Sequence, residues 1–268
     1  MVEFKNKFLK FHLFHIVDES PWPIVGSFAL FSMIVSVYYF LSSKMNFINF
    51  LMMSFWMLLV LFQWWRDVVR ESFFQGNHSK KVKNGLKLGM FLFILSEVMF
   101  FFSFFYTYFF YSLNPETEVL YTWPPTGVKN LDYLSVPLLN TLLLLSSGVT
   151  LTWSHHMLLN SNKKESLIGM ILTIILGIMF SYNQVDEYWE CSFSMADSIF
   201  GSIFFIATGF HGIHVFIGTI FIFITMIRLK MNHFSKNQHI GFELSAWYWH
   251  FVDVIWLFLF LVMYYWVG

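Results

Sequence analysis

The sequence predicts an all-α polytopic membrane protein with seven transmembrane helices. Three observations carry that prediction. Of the 268 residues, 57% are hydrophobic and only 12% charged, about half the charged share of an ordinary soluble domain. Seven apolar runs reach the ~20 residues a helix needs to cross the hydrocarbon. Runs such as Thr141–Leu145 and Ile168–Ile178 lack the alternation of polar and apolar residues that marks a membrane-spanning strand.

The chain opens with a basic tail, residues 1–20, carrying Lys5, Lys7 and Lys10 among Phe4, Phe8, Phe11 and Phe14. It reads either as an interfacial amphipathic segment or, as we favour, as an anchor that fixes topology. It has no cleavage site of the small-residue kind. The first span lies near 21–42. The second, near 46–69, closes on Gln63 to Glu71, where Trp64 and Trp65 suit the membrane interface. Beside them, Arg66 and Arg70 can grip a phospholipid headgroup, or simply anchor the helix through local pairs with carboxylates. Asn77-His78-Ser79-Lys80-Lys81 separates it from the third span, near 85–112. Two connectors with Asn114-Pro115-Glu116 and Trp123-Pro124-Pro125-Thr126-Gly127 lead to the fourth, near 134–159. The adjacent prolines lack backbone donors and resist helix, so an ordered loop is expected there. Asn160 to Lys164 precedes the fifth span, near 166–184; the sixth and seventh lie near 197–229 and 241–267. Residues 21–72 thus hold helices one and two, and 73–268 hold helices three to seven.

Odd spanning puts the termini on opposite sides, and the basic residues sort accordingly. Lys5, Lys7, Lys10, Arg66, Arg70, Lys80, Lys81, Lys83, Lys87, Lys163, Lys164, Arg228, Lys230 and Lys236 fall on the side of the N-terminus. Only Lys44 and Lys129 fall on the other. Basic loops stay inside, so the N-terminus is expected inside and the C-terminus outside. Lys+Arg and Asp+Glu both number 16, and no clustered basic surface suggests nucleic acid. The single cysteine, Cys191, excludes an internal disulfide, and no hydrolase, nucleotide-binding or zinc-finger pattern is present. No internal repeat is visible, which argues mildly against an inverted-repeat transporter.

Ionisable groups inside the membrane are costly and mark function by default. Glu97 sits near the middle of span three between Leu95 and Met99. It is either a proton-linked group or a neutral carboxyl bonded across a helix interface. His211 and His214 lie three apart in span six, His250 and Asp253 three apart in span seven, and His155 and His156 end span four. Two imidazoles and a carboxylate on facing helices can hold a metal or haem. Their plainer role is interhelical hydrogen bonding, favoured by a face of small residues, Gly201, Thr208, Gly212 and Thr219, which invites close packing.

Eight motifs in fixed order carry a resemblance. They are Ser20-Pro21-Trp22-Pro23; Gln63 to Glu71; Gly89-Met90 with Ser96-Glu97-Val98; Trp123-Pro124-Pro125; Val136 to Thr141; Trp153-Ser154-His155-His156; Thr208 to Val215; and Trp247 to Asp253. The chain resembles cytochrome c oxidase subunit III from about residue 12 to its end. Its 36 Phe and 15 Met resemble a mitochondrially encoded chain. The resemblance implies seven helices, two splayed from five around a lipid-filled cleft. It implies a non-redox core subunit of the complex that oxidises cytochrome c, reduces oxygen to water and pumps protons. Haem A and copper would sit in partner subunits I and II, with no metal on this chain. Accessory subunits, bound phospholipid and a respiratory supercomplex are the further partners expected, and the mitochondrial inner membrane the location, N-terminus in the matrix. Glu97 matches the family's carbodiimide-reactive carboxylate. Trp65, Glu71, His78 and Arg228 match positions that touch lipid headgroups in relatives. Relatives often carry Trp near Tyr106 and His near Phe110; this chain carries neither. The reading from a different class is a stand-alone proton-linked transporter using Glu97, His211 and Asp253. A haem- or metal-bearing redox protein is the third.

Overall fold

The computed structural model describes residues 14–114, 122–125, 128 and 131–267. The expectations for most of the basic tail, and for Glu116, Thr126, Gly127 and Lys129 in the long connector, lie outside them. Seven helices follow one another: α1 Trp22–Leu41, α2 Phe47–Phe73, α3 Lys80–Leu113, α4 Val136–Leu159, α5 Lys163–Glu190, α6 Ile199–Lys230 and α7 Ile240–Leu259. The last widens into a π-helical turn over Phe260–Tyr265. All seven are long and apolar enough to cross a membrane, and the described residues contain no β-strand beyond an isolated bridge between Ser235 and Gln238.

Several helices outrun the apolar windows that revealed them. α3 begins at Lys80 rather than 85, and α5 runs from Lys163 to Glu190 rather than 166–184. The added turns carry Lys80, Lys81, Lys83, Lys163 and Asp186. Hydropathy ends where the hydrocarbon ends, whereas backbone bonding continues into the headgroup layer; at ~1.5 Å per residue α3 is about 50 Å long.

The chain forms two compact units, Met1–Leu86 and Lys87–Gly268; the dividing point lies inside α3. In the first, α1 and α2 form a hairpin whose turn places Ser43 in left-handed backbone, φ 55°. The pair has a thin interior of Ala29, Ser36 and Val60. A Cβ on Gly26 would stand 3.2 Å from the Trp64 ring, so the missing side chain lets the indole lie against α1. The Trp22 indole donates to Asp67 Oδ2 at 2.7 Å, pinning the open end of the hairpin.

The second unit sets polar side chains within an aromatic and aliphatic core and turns many apolar ones outward. Asn140, Ser147, Ser154, Ser166, Thr173, Thr208 and His211 are buried, while Phe102, Leu142, Val149, Ile178, Phe216 and Phe258 are exposed. Lipid tails solvate phenylalanine as well as a protein core does, so helices associate through close packing and hydrogen bonds. Ser154 donates to Ser166 O at 2.7 Å, Thr150 meets Thr173 at 2.8 Å, and Trp249 Nε1 donates to Ser147 Oγ at 2.8 Å. Trp249 sits between two glycines: a Cβ on Gly177 or Gly218 would fall 2.8 or 2.9 Å from its ring. The small-residue face expected on α6 is therefore only partly used. Gly201 and Thr208 are buried, but Gly212 has open space where its side chain would be. Gly218, off that face, makes the close approach because Trp249 of α7 needs the room.

Candidate functional site

Glu97 is the eighteenth of the 34 residues of α3 and is bonded to α6. Its Oε2 lies 2.9 Å from His214 Nε2. The other imidazole nitrogen, Nδ1, lies 2.6 Å from the Phe210 carbonyl oxygen. A carbonyl only accepts, so Nδ1 carries a proton. Nε2 then either accepts from a protonated Glu97 or, as imidazolium, donates to its carboxylate. Both arrangements contain one proton held between the two residues, and both leave the couple neutral. Rings of Phe101 and Phe251 surround His214, at 5.1 and 6.4 Å. They keep water away and make separated charges unfavourable.

The other intramembrane histidines have different partners. His211, on the same flank of α6, is fully buried and donates from Nε2 to Val252 O of α7 at 3.1 Å. His250 Nε2 lies 3.4 Å from Thr152 of α4. Asp253 approaches Gly148, and its buried Oδ1 has no hydrogen-bond partner. His155 stands beside His239 and Phe242, ring centroids 5.2 and 5.3 Å away. Lys87 pairs with Glu243, and neither residue stood out in the sequence. A second buried acid also escaped it: Glu187 accepts from Tyr264 Oη at 2.6 Å and Gln184 Nε2 at 3.4 Å. Its position at the polar end of α5 made it resemble a connector residue.

Within the first unit, Trp22, Trp64, Asp67, Arg70, Glu71, His15, His78 and Lys81 line a cleft of about 1110 Å³, with Asp18 and Glu19 at its edge. His15 Nε2 lies 3.1 Å from Glu71 Oε2. Arg66 binds Asp67 at 3.0 Å and Arg70 reaches it at 4.0 Å. Arg70, Glu71 and His78 thus share one cleft. Trp65 does not line it and is 60% exposed; its neighbour Trp64 takes that place because it faces α1. His15 was missed because a lone histidine before the first span carries no spacing signal.

Arg228 belongs to the second unit. Its guanidinium lies over the Phe234 ring at 4.5 Å, and its buried Nε has no hydrogen-bond partner. Burial first, and the Arg228 charge second, hold the nearby His233 imidazole below its usual pKa. Burial likewise pushes the Cys191 thiol up to about 12.

The family model for cytochrome c oxidase subunit III matches residues 12–268. Curated relatives named cytochrome c oxidase subunit 3 agree along the chain. That of Coturnix japonica is 52% identical over 256 residues, covering 95% of this chain and 97% of the relative. That of Heterololigo bleekeri is 49% identical, covering 94% and 97%. That of Prototheca wickerhamii is 48% identical, covering 96% and 98%. With seven apolar helices, a paired acid midway along the third and a match over nearly its whole length, the chain belongs to the cytochrome c oxidase subunit III family.

Proposed function

We propose that the chain is the non-redox core subunit of mitochondrial cytochrome c oxidase, the complex that oxidises cytochrome c, reduces oxygen to water and translocates protons. The family match over residues 12–268 supports this reading. The chain spans the inner membrane seven times, with its N-terminus in the matrix and its C-terminus in the intermembrane space. Haem A and copper belong to subunits I and II. Among accessory chains and within any supercomplex, this subunit stabilises subunit I, holds phospholipid and supports proton uptake.

The observation that carries the proton-linked role is the Glu97–His214 couple. It holds one proton near the centre of a membrane span, between side chains of two helices and outside any backbone ladder. Glu97→Gln tests it. The amide can still donate to Nε2 of a neutral His214, so helix packing survives while the titratable proton is gone. Proton uptake, or durability under turnover, should change in the assembled complex while oxygen reduction continues. Complete loss of oxygen reduction in a correctly assembled complex would overturn the role.

The cleft of the first unit suits a phospholipid headgroup carrying both signs of charge. Arg70, His15, His78 and Lys81 offer donors to phosphate, and Asp18, Glu19 and Glu71 offer acceptors to an ammonium. Arg228 adds a phosphate donor in the other unit. The stand-alone transporter reading gains no support from the relatives. Among the described residues, moreover, no hydrogen bond links Glu97 to His211 or to Asp253.

A further inference from the structure

Three donors from two helices converge where α4 ends and α7 begins. A ring nitrogen of His155, a ring nitrogen of His239 and a carboxylate oxygen of Glu243 all lie within 4.8 Å of one another. His239 is 93% buried by its 7% exposure, and its Nδ1 lies 3.1 Å from Ser235 O. That carbonyl only accepts, so Nδ1 carries a proton, and Nε2 is the nitrogen that faces Glu243 and can ligate an ion once the ion displaces any proton shared with that carboxylate. Nε2 lies 3.3 Å from Glu243 Oε1. A backbone carbonyl that fixes the outer nitrogen is the support a metal-bound imidazole ordinarily has. The His155 ring is held against Phe242, and its buried Nε2 has no hydrogen-bond partner. The second oxygen of Glu243 pairs with Lys87, whose side chain is 39% exposed.

We propose that His155, His239 and Glu243 form a binding site for a divalent cation of the Zn²⁺ class, in which the ion displaces Lys87 from Glu243. Two imidazoles and one carboxylate suit Zn²⁺ and disfavour Mg²⁺ and Ca²⁺, which take oxygen ligands. Bonds of ~2.0–2.1 Å set tetrahedral ligands about 3.3 Å apart, the spacing that His239 and Glu243 already have. His155 closes the remaining distance by turning about its side-chain bonds. Three protein ligands leave the fourth position to water. The bound ion ties the end of α4 to the start of α7, and its ligands do not include Glu97. The sequence hid this site because His155 ends one span, His239 stands just before another, and only the fold brings them together.

The test is equilibrium dialysis of the intact, chelator-washed oxidase complex against radioactive Zn²⁺. The wild-type complex should bind one ion that His155→Gln and His239→Gln each weaken by at least about tenfold. Lys87→Met keeps all three ligands and removes their competitor. It should bind that ion ~twofold to fivefold more tightly, the worth of a partly exposed ion pair. Equal stoichiometry and affinity in the wild type and all three variants would overturn the proposal. If the histidine variants do not assemble, Lys87→Met decides: tighter binding upholds the site, and unchanged binding overturns it.

Discussion

Ser147 is a small residue with a large consequence. Its hydroxyl accepts from Trp249 Nε1 and donates to Leu144 O, so one buried side chain on α4 satisfies the only polar side-chain atom of a buried tryptophan on α7. Ser147→Ala leaves the indole N–H without an acceptor in the interior of the second unit. The expected cost is about 1–2 kcal/mol, read as a lower temperature for release of this subunit from the oxidase, with turnover otherwise retained. At this scale the sequence was a partial guide. Glu97 stood out because an acid among Ile, Leu and Phe is costly at membrane depth. Its partner did not, because His211 and His214 look alike in the sequence. Which of the two faces α3 depends on the rotation of α6, and that is set by where Gly218 meets Trp249.

Helix crossings in the second unit depend on glycine in particular places. A Cβ on Gly169 of α5 would stand 2.7 Å from Ser154 Cβ and 3.0 Å from Thr150 O. Neither neighbour is the far end of a flexible side chain, so the helices themselves would have to part. Parting them would also stretch the bond from Ser154 to Ser166 O. Gly169→Val should therefore destabilise the α4–α5 pair by about 1–3 kcal/mol and lower the yield of assembled complex, as read by blue-native electrophoresis. Gly212→Ala, where nothing lies within 4 Å, is the matched control and should assemble normally. The number of helices was legible from apolar runs alone. Their ends were not, because Lys80 and Lys163 continue a helix in the headgroup layer where hydropathy has already fallen. The choice of working glycine was hidden as well, since a glycine facing lipid and one facing indole read alike.

Across the whole molecule, the distribution of charge matters more than its sum of zero. Fourteen of the sixteen basic residues lie on the N-terminal side of the predicted topology, the side on which the cleft lined by Arg70, Glu71 and Lys81 also opens. In the function proposed above, that side is both an address label for insertion and a surface for lipid. Arg70→Ala should lose about half or more of one phospholipid per complex after mild delipidation, counted by native mass spectrometry. Trp65→Ala, which alters a side chain outside the cleft, should retain it. The cleft itself was only half legible: Arg70, Glu71 and His78 are among the residues the sequence singles out, whereas His15 is brought in by its contact with Glu71 and Trp22 by the first turn of α1 against Asp67.

The clasp of Trp249 by Gly177 and Gly218 bears on how such a chain can change over generations. At each glycine a Cβ would fall within 3 Å of the indole, so a larger residue there requires the ring to move. The three positions therefore vary together or not at all. A smaller residue at 249 would have to come first for alanine at 218 to become neutral or even helpful as filling, and at 177 the Thr219 hydroxyl, 2.9 Å from a Cβ, would have to give way too. Among drifting sequences, the order of substitution is constrained as firmly as the residues themselves.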